Sequence, residues 1–481
     1  MNDDENTDTS HDIQQDVPRR LALRDLVWIA LFLGLLGGAA LLLWLDQGNV
    51  SIDSYGPTGL SSSNAVIEIS FGATMDRESV EDRFSIAPGV TGGVEWQTDR
   101  TLRYVPSEPL IPDQRYEVRI EPGARSLDGE RTLESALVFE FRVKWPSIVF
   151  LGPSTAAVTD LMRLDPQTGA VDTLTNSEGG VVDFAISPDG EWIAYSERRS
   201  GTRSEIRALN LTSRQDIQMT NCIDAQATCR APSWRADSRQ ITYTRRELDQ
   251  DSTWANTERI WSVDLQSRQS QLLFDDPGIE AHYARWSPVG ERIALALADP
   301  PGVLVYDFPS ESSIFMPSEQ GLVGQWSRDG QALTYPVLQI GGAIARSYTH
   351  IELARFGDFS DEQANITSLS GERETPVEDI QASFRPNSTQ LALTRRYLDS
   401  RFTEGTQVFL ADTATGEVEE LIYNPEYSHG AISWSQEGNL LLMQRSHLAS
   451  PDRHIELWVY VMSTGDYRMI HDNGYLPQFL P

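Results

Sequence analysis

The chain has 481 residues, 40% of them hydrophobic, and a formal net charge of −31 from 70 acidic against 39 basic side chains. That length exceeds one ordinary domain, and the apolar fraction is enough for packed cores. The charge argues against nucleic-acid binding, which needs a basic face, and against docking on anionic lipid; its plain role is solubility. Lys144 is the only lysine, so arginine supplies nearly all positive charge.

Residues 1–25 open with a polar, acidic stretch containing Asp3, Asp4, Glu5, Asp8, Asp12 and Asp16, with no apolar periodicity. Such a tail is expected to be disordered. Arg19, Arg20 and Arg24 then precede Leu26–Leu45, which carries no charge and has Trp28 and Trp44 near its ends. Twenty residues at about 1.5 Å each cross a bilayer core of roughly 30 Å. A cleaved signal peptide would have a shorter apolar region ending in a small-x-small site. This run is longer and ends Leu-Leu-Leu-Trp-Leu-Asp46, so it predicts an uncleaved transmembrane helix over 26–45. With the arginines on its N-terminal side, the N-terminus is expected in the cytoplasm and everything after Asp46 outside it.

Residues 46–64, rich in Ser, Gly and Asn, read as a stalk. From 65 to 144 the pattern is β. Val66, Ile67, Ile69 and Phe71 carry a first run; Arg115–Ile120 and Leu137–Val143 alternate apolar and polar. Period two with one charged face means half-buried antiparallel strands. Pro88-Gly89, Pro106, Pro122-Gly123 and Asp128-Gly129 separate them, giving about seven strands of a small β-sandwich. The phrases Ile67–Asp76, Ser79-Val80, Trp96, Leu102–Pro106, Leu110 and Tyr116–Val118 resemble the bacterial Ig-like domain of the SbsA type. The resemblance implies a spacer or adhesion module and no catalysis. Lys144-Trp-Pro146 then leads straight into the next domain, a junction expected to be semi-rigid.

Residues 147–481 repeat one phrase. Strands ending at Phe184, Trp234, Trp286, Trp326, Phe384 and Trp434 are each followed by a polar turn such as Ser187-Pro-Asp-Gly190, then by an apolar strand such as Trp192–Tyr195. Asp, Asn and Gly suit such turns because they tolerate positive φ or bond their own backbone. A strand-rich repeat of this length predicts a β-propeller. Six units are complete. Ser147–Leu151, Asp160–Asp165 and Val171–Leu174 supply three strands without a first, and Gly474–Pro481 a first strand without followers. Together they predict a seventh blade closed by the C-terminal strand; six blades is the alternative. The phrases Phe184–Tyr195 and Arg285–Ala294 resemble the WD40-like repeat of TolB-type propellers, a family of binding scaffolds, complex subunits and accessory domains of enzymes.

The chemistry-bearing residues are few. Cys222 and Cys229, the only cysteines, share one loop and predict a local disulfide outside the cytoplasm. No nucleophile elbow, phosphate loop, zinc helix or calcium loop is present, so neither a cofactor nor a metal is expected. Arg230, Glu280, His282, Gln320, Glu378, Asp379, His429 and Tyr475 stand just before the inner strands and are the candidate ligand-binding ring at a channel mouth. The longer insertions Arg245–Arg259, Tyr397–Thr406 and Asp358–Pro376 are candidate functional loops. The expected function is a non-enzymatic, membrane-anchored protein that binds a protein, peptide or envelope polymer. The alternative is an envelope lyase or hydrolase working at the channel mouth.

Overall fold

The structure, a computed structural model, describes residues 48–248, 254–340, 347–357, 359, 363–451 and 454–481. The acidic tail and the apolar run Leu26–Leu45 lie outside them. Among the described residues no helix is long and apolar enough to cross a membrane.

The Ig-like part consists of two four-stranded sheets. One has the order Ile52–Gly56, Ile67–Phe71, Thr101–Pro106, Gly92–Thr98; the other Gly59–Ser61, Leu137–Val143, Arg115–Ile120, Phe84–Ala87. The alternation seen in the sequence selects the buried face. Ile67, Ile69 and Phe71 are buried while Glu68 is exposed, and Tyr116, Val118 and Ile120 are buried from the facing sheet. A short helix, Arg77–Glu81, crosses between strands and buries Val80.

The remainder forms seven sheets, here numbered as blades with strands one to four from the channel outward. Blade 1 runs Val181–Ile186, Trp192–Ser200, Arg203–Asn210, Asp216–Gln218. Blade 2 begins at Ala227–Trp234, blade 3 at Ala281–Trp286, blade 5 at Val377–Phe384 and blade 6 at Tyr427–Trp434. Blade 7 takes Ile148–Gly152, Asp160–Asp165 and Ala170–Thr173 from the start of the domain and Tyr475–Phe479 from its end. In it Phe479 pairs with Ile148 and Tyr475 with Leu151, so both ends of the domain are held in one sheet.

Second strands read as continuous apolar runs because neighbouring blades cover both their faces. Ile193, Ala194 and Tyr195, and Leu440 through Met443, are at most 1% exposed. Each large apolar side chain buried this way contributes about 1.5–3 kcal/mol. The turns are held by their own side chains. Ser187 Oγ donates to Asp189, whose carboxylate accepts the Glu191 N–H at 3.0 Å, while the Trp192 N–H donates to Ser187 Oγ at 2.9 Å. Ser327 and Asp329 repeat this arrangement. Gly190, Gly290, Gly330 and Gly438 take φ between 66° and 74°, the left-handed region that glycine enters without steric cost.

Blades are also clasped to one another. The indole N–H of Trp234 donates to Ala185 O, that of Trp326 to Arg285 O and that of Trp434 to Ser383 O, at 3.0–3.1 Å. Each bond joins a blade to its predecessor.

Four expectations change. The first repeat is out of phase by two residues: Ile186, paired with Ile193, occupies the position held by Trp234, Trp286, Trp326, Phe384 and Trp434, and Phe184 lies two residues upstream. Phe184-Ala-Ile carries the aromatic early, whereas the later units place it directly before the turn. Blade 4 has three strands, its inner segment reduced to a bridge between Trp326 and Leu333. Much of Arg245–Arg259 is not a loop, since Arg245 pairs with Arg259 and Arg246 with Glu258 in a long hairpin. The segment Asp358–Pro376 contains the outer strand Asn365–Ser368.

Candidate functional site

Inner strands lie around a cavity of about 530 Å³ lined by residues of blades 1, 3, 4, 5, 6 and 7. Counting back from the shared aromatic slot, one ring of lining residues stands three positions before it, including Asp183, Tyr283 and Gln381. A second stands one position before it, including Arg285, Gln325, Ser433 and Gln478. Period two explains the spacing: residues three and one before the slot share a face. Toward the turns the channel meets two further hollows. One, of about 360 Å³, includes Trp234, Trp286 and Pro288; the other, of about 600 Å³, includes Trp326, Phe384, Trp434, Arg328 and Arg385.

Upstream of these rings the alternation breaks. Six inner strands carry a register shift at the same level: Val181/Asp183, Arg230/Ser233, Ala281/Tyr283, Asp379/Gln381, Gly430/Ser433 and Tyr475/Gln478. Each holds one extra residue, a β-bulge, which turns the preceding side chains to the other face. Ala231, Ala431 and Leu476 take positive φ there, at 54°, 46° and 51°.

The bulge bears on those of the eight candidates that stand on the six bulged strands. Asp379 and His429 stand before it and are buried at 0% and 3% exposure. The Asp379 carboxylate receives Nε and Nη2 of Arg395, both at 2.7 Å, and the Ser370 hydroxyl at 2.6 Å. The Asp379 partner holds the Arg395 guanidinium protonated against its burial. His429 donates through Nδ1 to Thr406 O at 3.0 Å, leaving Nε2 buried without a hydrogen-bond partner. Burial pushes its pKa down to about 4, so the ring is neutral. Glu378 is taken by Arg396 and Arg230 by Glu258, the latter at 2.8 Å. Glu280 is half-buried. Gln320 donates to the Thr349 hydroxyl at 2.6 Å, and the Tyr475 hydroxyl meets that of Thr159 at 3.1 Å. His282 donates through Nε2 to Gly321 O at 2.7 Å. The structure does not gather these side chains into one cluster. Among the described residues no group of three His, Cys, Asp or Glu could hold a metal ion.

Cys222 and Cys229 are joined by a disulfide with a Cα–Cα distance of 6.1 Å. Both are buried, at 1% and 0% exposure, in the core between blades 1 and 2, so the bridge is part of that core as well as a staple on its loop.

The lining residues are hard to read from the sequence because the bulge leaves no consistent signature. Pro232 and Pro477 sit in two of the bulges, but the other strands have no Gly or Pro in common there. The aromatic slot could have served as the origin: counting one and three residues back reaches Arg285, Gln381 and Ser433 directly. Of the lining acids, Asp183 accepts the Ser196 hydroxyl and the Ala231 N–H, the latter at 3.1 Å, and burial pushes its pKa up.

Comparison with known proteins agrees with this architecture. Residues 49–143 match the family model of the bacterial Ig-like domain, and residues 164–287 match that of the prolyl oligopeptidase N-terminal β-propeller domain. The chain combines an Ig-like domain with a β-propeller. No curated protein matches it. Among solved structures it is similar to TolB from Acinetobacter baumannii, at 14% identity, with 90% of this chain and 99% of that chain covered and a TM-score of 0.42. It is also similar to prolyl oligopeptidase B from Galerina marginata, at 11% identity, 68% and 51% coverage and a TM-score of 0.47. A puromycin hydrolase matches at 13% identity, 76% and 53% coverage and a TM-score of 0.47. The chain thus spans about half the length of each of these two enzymes. At such identities and scores these likenesses carry no functional argument.

Proposed function

We propose that this chain is a non-enzymatic binding protein of a bacterial envelope, anchored by Leu26–Leu45, whose propeller receives a protein, peptide or envelope polymer in its channel. The observation that carries the reading is the channel itself. It is a polar cavity of about 530 Å³, walled by Gln325, Gln381, Ser433 and Gln478 and meeting wider hollows toward the turns. Concave sites with a few convergent polar groups are the usual form of ligand sites. The anchor rests on the uncharged run after Arg19, Arg20 and Arg24, and a Cys222–Cys229 disulfide suits a compartment outside the cytoplasm.

The test is affinity capture from envelope extract with the full-length protein, wild type against Ser433→Trp, which fills the channel without changing its charge. The reading expects a specific partner lost with the tryptophan variant. Equal recovery by both proteins would remove the channel from the account. Protease treatment of intact spheroplasts checks the orientation: everything after Asp46 should be digested, and a protected propeller would contradict it.

A further inference from the structure

Many arginines in the propeller are paired with carboxylates. Arg395 pairs with Asp379, Arg445 with Glu456, Arg292 with Asp307, and Arg207 with Asp216. With 70 acidic against 39 basic side chains in the chain, partners are not scarce. Three arginines that line the channel are not so paired. Arg285 gives Nη1 to Gly324 O at 2.8 Å and Nη2 to the Tyr283 hydroxyl at 2.9 Å. Arg328 reaches Asn387 Oδ1 at 3.2 Å and Gln436 O at 3.4 Å. Arg385 gives Nε to Gly438 O at 2.8 Å and Nη1 to Gln390 Oε1 at 2.7 Å. Every acceptor is a neutral oxygen, and among the described residues none of the three has a carboxylate within ion-pair distance.

All three line the same passage, Arg285 in the central cavity and Arg328 and Arg385 in the hollow on the turn side. The two acids on that passage are occupied. Asp183 is held by Ser196 and by the Ala231 N–H, and Asp329 by Ser327 and the Gln331 N–H of its own turn. The passage thus carries three guanidinium groups against two carboxylates, an excess of positive charge within an acidic protein. A guanidinium with spare N–H donors is suited to a carboxylate, which it can grip with two parallel bonds. Gln325, Gln381 and Gln478 add amides that both donate and accept, which matches a peptide backbone.

We infer that the channel binds an acidic peptide segment, with Arg285 as the central carboxylate contact and Arg328 and Arg385 receiving further carboxylates toward the turn side. This deepens the binding role proposed above and rests on it. Field focusing between low-dielectric walls would draw such a segment in, with an affinity that falls as salt rises.

The probe is fluorescein-labelled hexaglutamate, followed by anisotropy on the full-length protein in neutral detergent at low and at physiological salt. Hexaglutamine and hexalysine of the same length, and an oligogalacturonate, are the comparators. The expected result is saturable hexaglutamate binding, weaker at physiological salt and absent for the other peptides. Arg285→Gln should weaken it at least tenfold and Arg328→Gln several-fold, while Arg285→Lys should retain more binding than Arg285→Gln. Arg77→Gln, which removes an exposed pair in the Ig-like part, should leave it unchanged. No hexaglutamate binding, binding unaltered by Arg285→Gln in a protein with wild-type unfolding temperature, or binding of the oligogalacturonate in its place would each overturn the inference. If hexaglutamate fails while Ser433→Trp still abolishes partner capture, the acidic-peptide assignment falls and the channel reading stands.

Discussion

Asp379 and Gln381 stand two residues apart on one inner strand, a spacing that in a regular strand would put them on the same face. A bulge between them sends Asp379 into the wall, where it is 0% exposed and grips Arg395, and turns Gln381 toward the channel. The same division recurs in blade 6, where His429 is buried and Ser433 lines the cavity. The comparison teaches that the inner strands have two zones. Upstream of the bulge, Asp379 and His429 turn into the wall; downstream, Gln381 and Ser433 line the cavity. Charge or hydrogen-bonding capacity alone does not distinguish them.

The largest expected effect lies in the closing strand. Removing Gly474–Pro481 takes the inner strand from blade 7 and exposes the edge of Ile148–Gly152, which pairs with it. Open edges of this kind invite intermolecular pairing. The truncated protein should fail to give a cooperative unfolding transition and should aggregate during expression, as read by calorimetry and size-exclusion chromatography.

A smaller effect concerns pH and the upstream zone. His429 has a native pKa of about 4, lowered chiefly by burial and further by Arg445, against roughly 6.5 when unfolded. Its neutral form is favoured by the fold, so its contribution is full above the unfolded value and is lost as pH falls from about 6.5 toward 4. The linkage amounts to about 3 kcal/mol. Urea unfolding of His429→Gln across that window should show a shallower loss of stability than the wild type; parallel curves would remove the histidine from the explanation.

Smaller still is the blade clasp. Trp434→Phe keeps the ring but loses the donor to Ser383 O, and should cost about 1 kcal/mol. Trp286, whose indole N–H has no hydrogen-bond partner, gives the matching control: Trp286→Phe should cost less than Trp434→Phe.

How much of this could be read beforehand follows from which signals are local. Turn chemistry is local, so Ser187–Gly190 and its repeats marked the blades, and the unmatched strands at 147–174 and 474–481 pointed to the shared closing sheet. The alternation at Ile67–Phe71 and Arg115–Ile120 was equally plain. The candidate ring was less legible. Distance along the chain from each inner strand points to its residues, and a one-residue bulge reverses facing without changing that distance. Phe184 shows a related difficulty: as an aromatic near the turn it suggests the slot, while pairing with Ile193 gives the slot to Ile186.

The division at the bulge is tested most directly by comparing Asp379→Ala with Gln381→Ala by thermal unfolding. Truncating Asp379 leaves the buried Arg395 unpaired, a loss of about 3–5 kcal/mol, or on the order of 10 °C in a domain of this size. Truncating Gln381 should shift the midpoint by no more than about 2 °C, since its side chain lines a cavity and carries one bond, from the Ile432 N–H. Equal shifts, or a larger one for Gln381, would contradict the account.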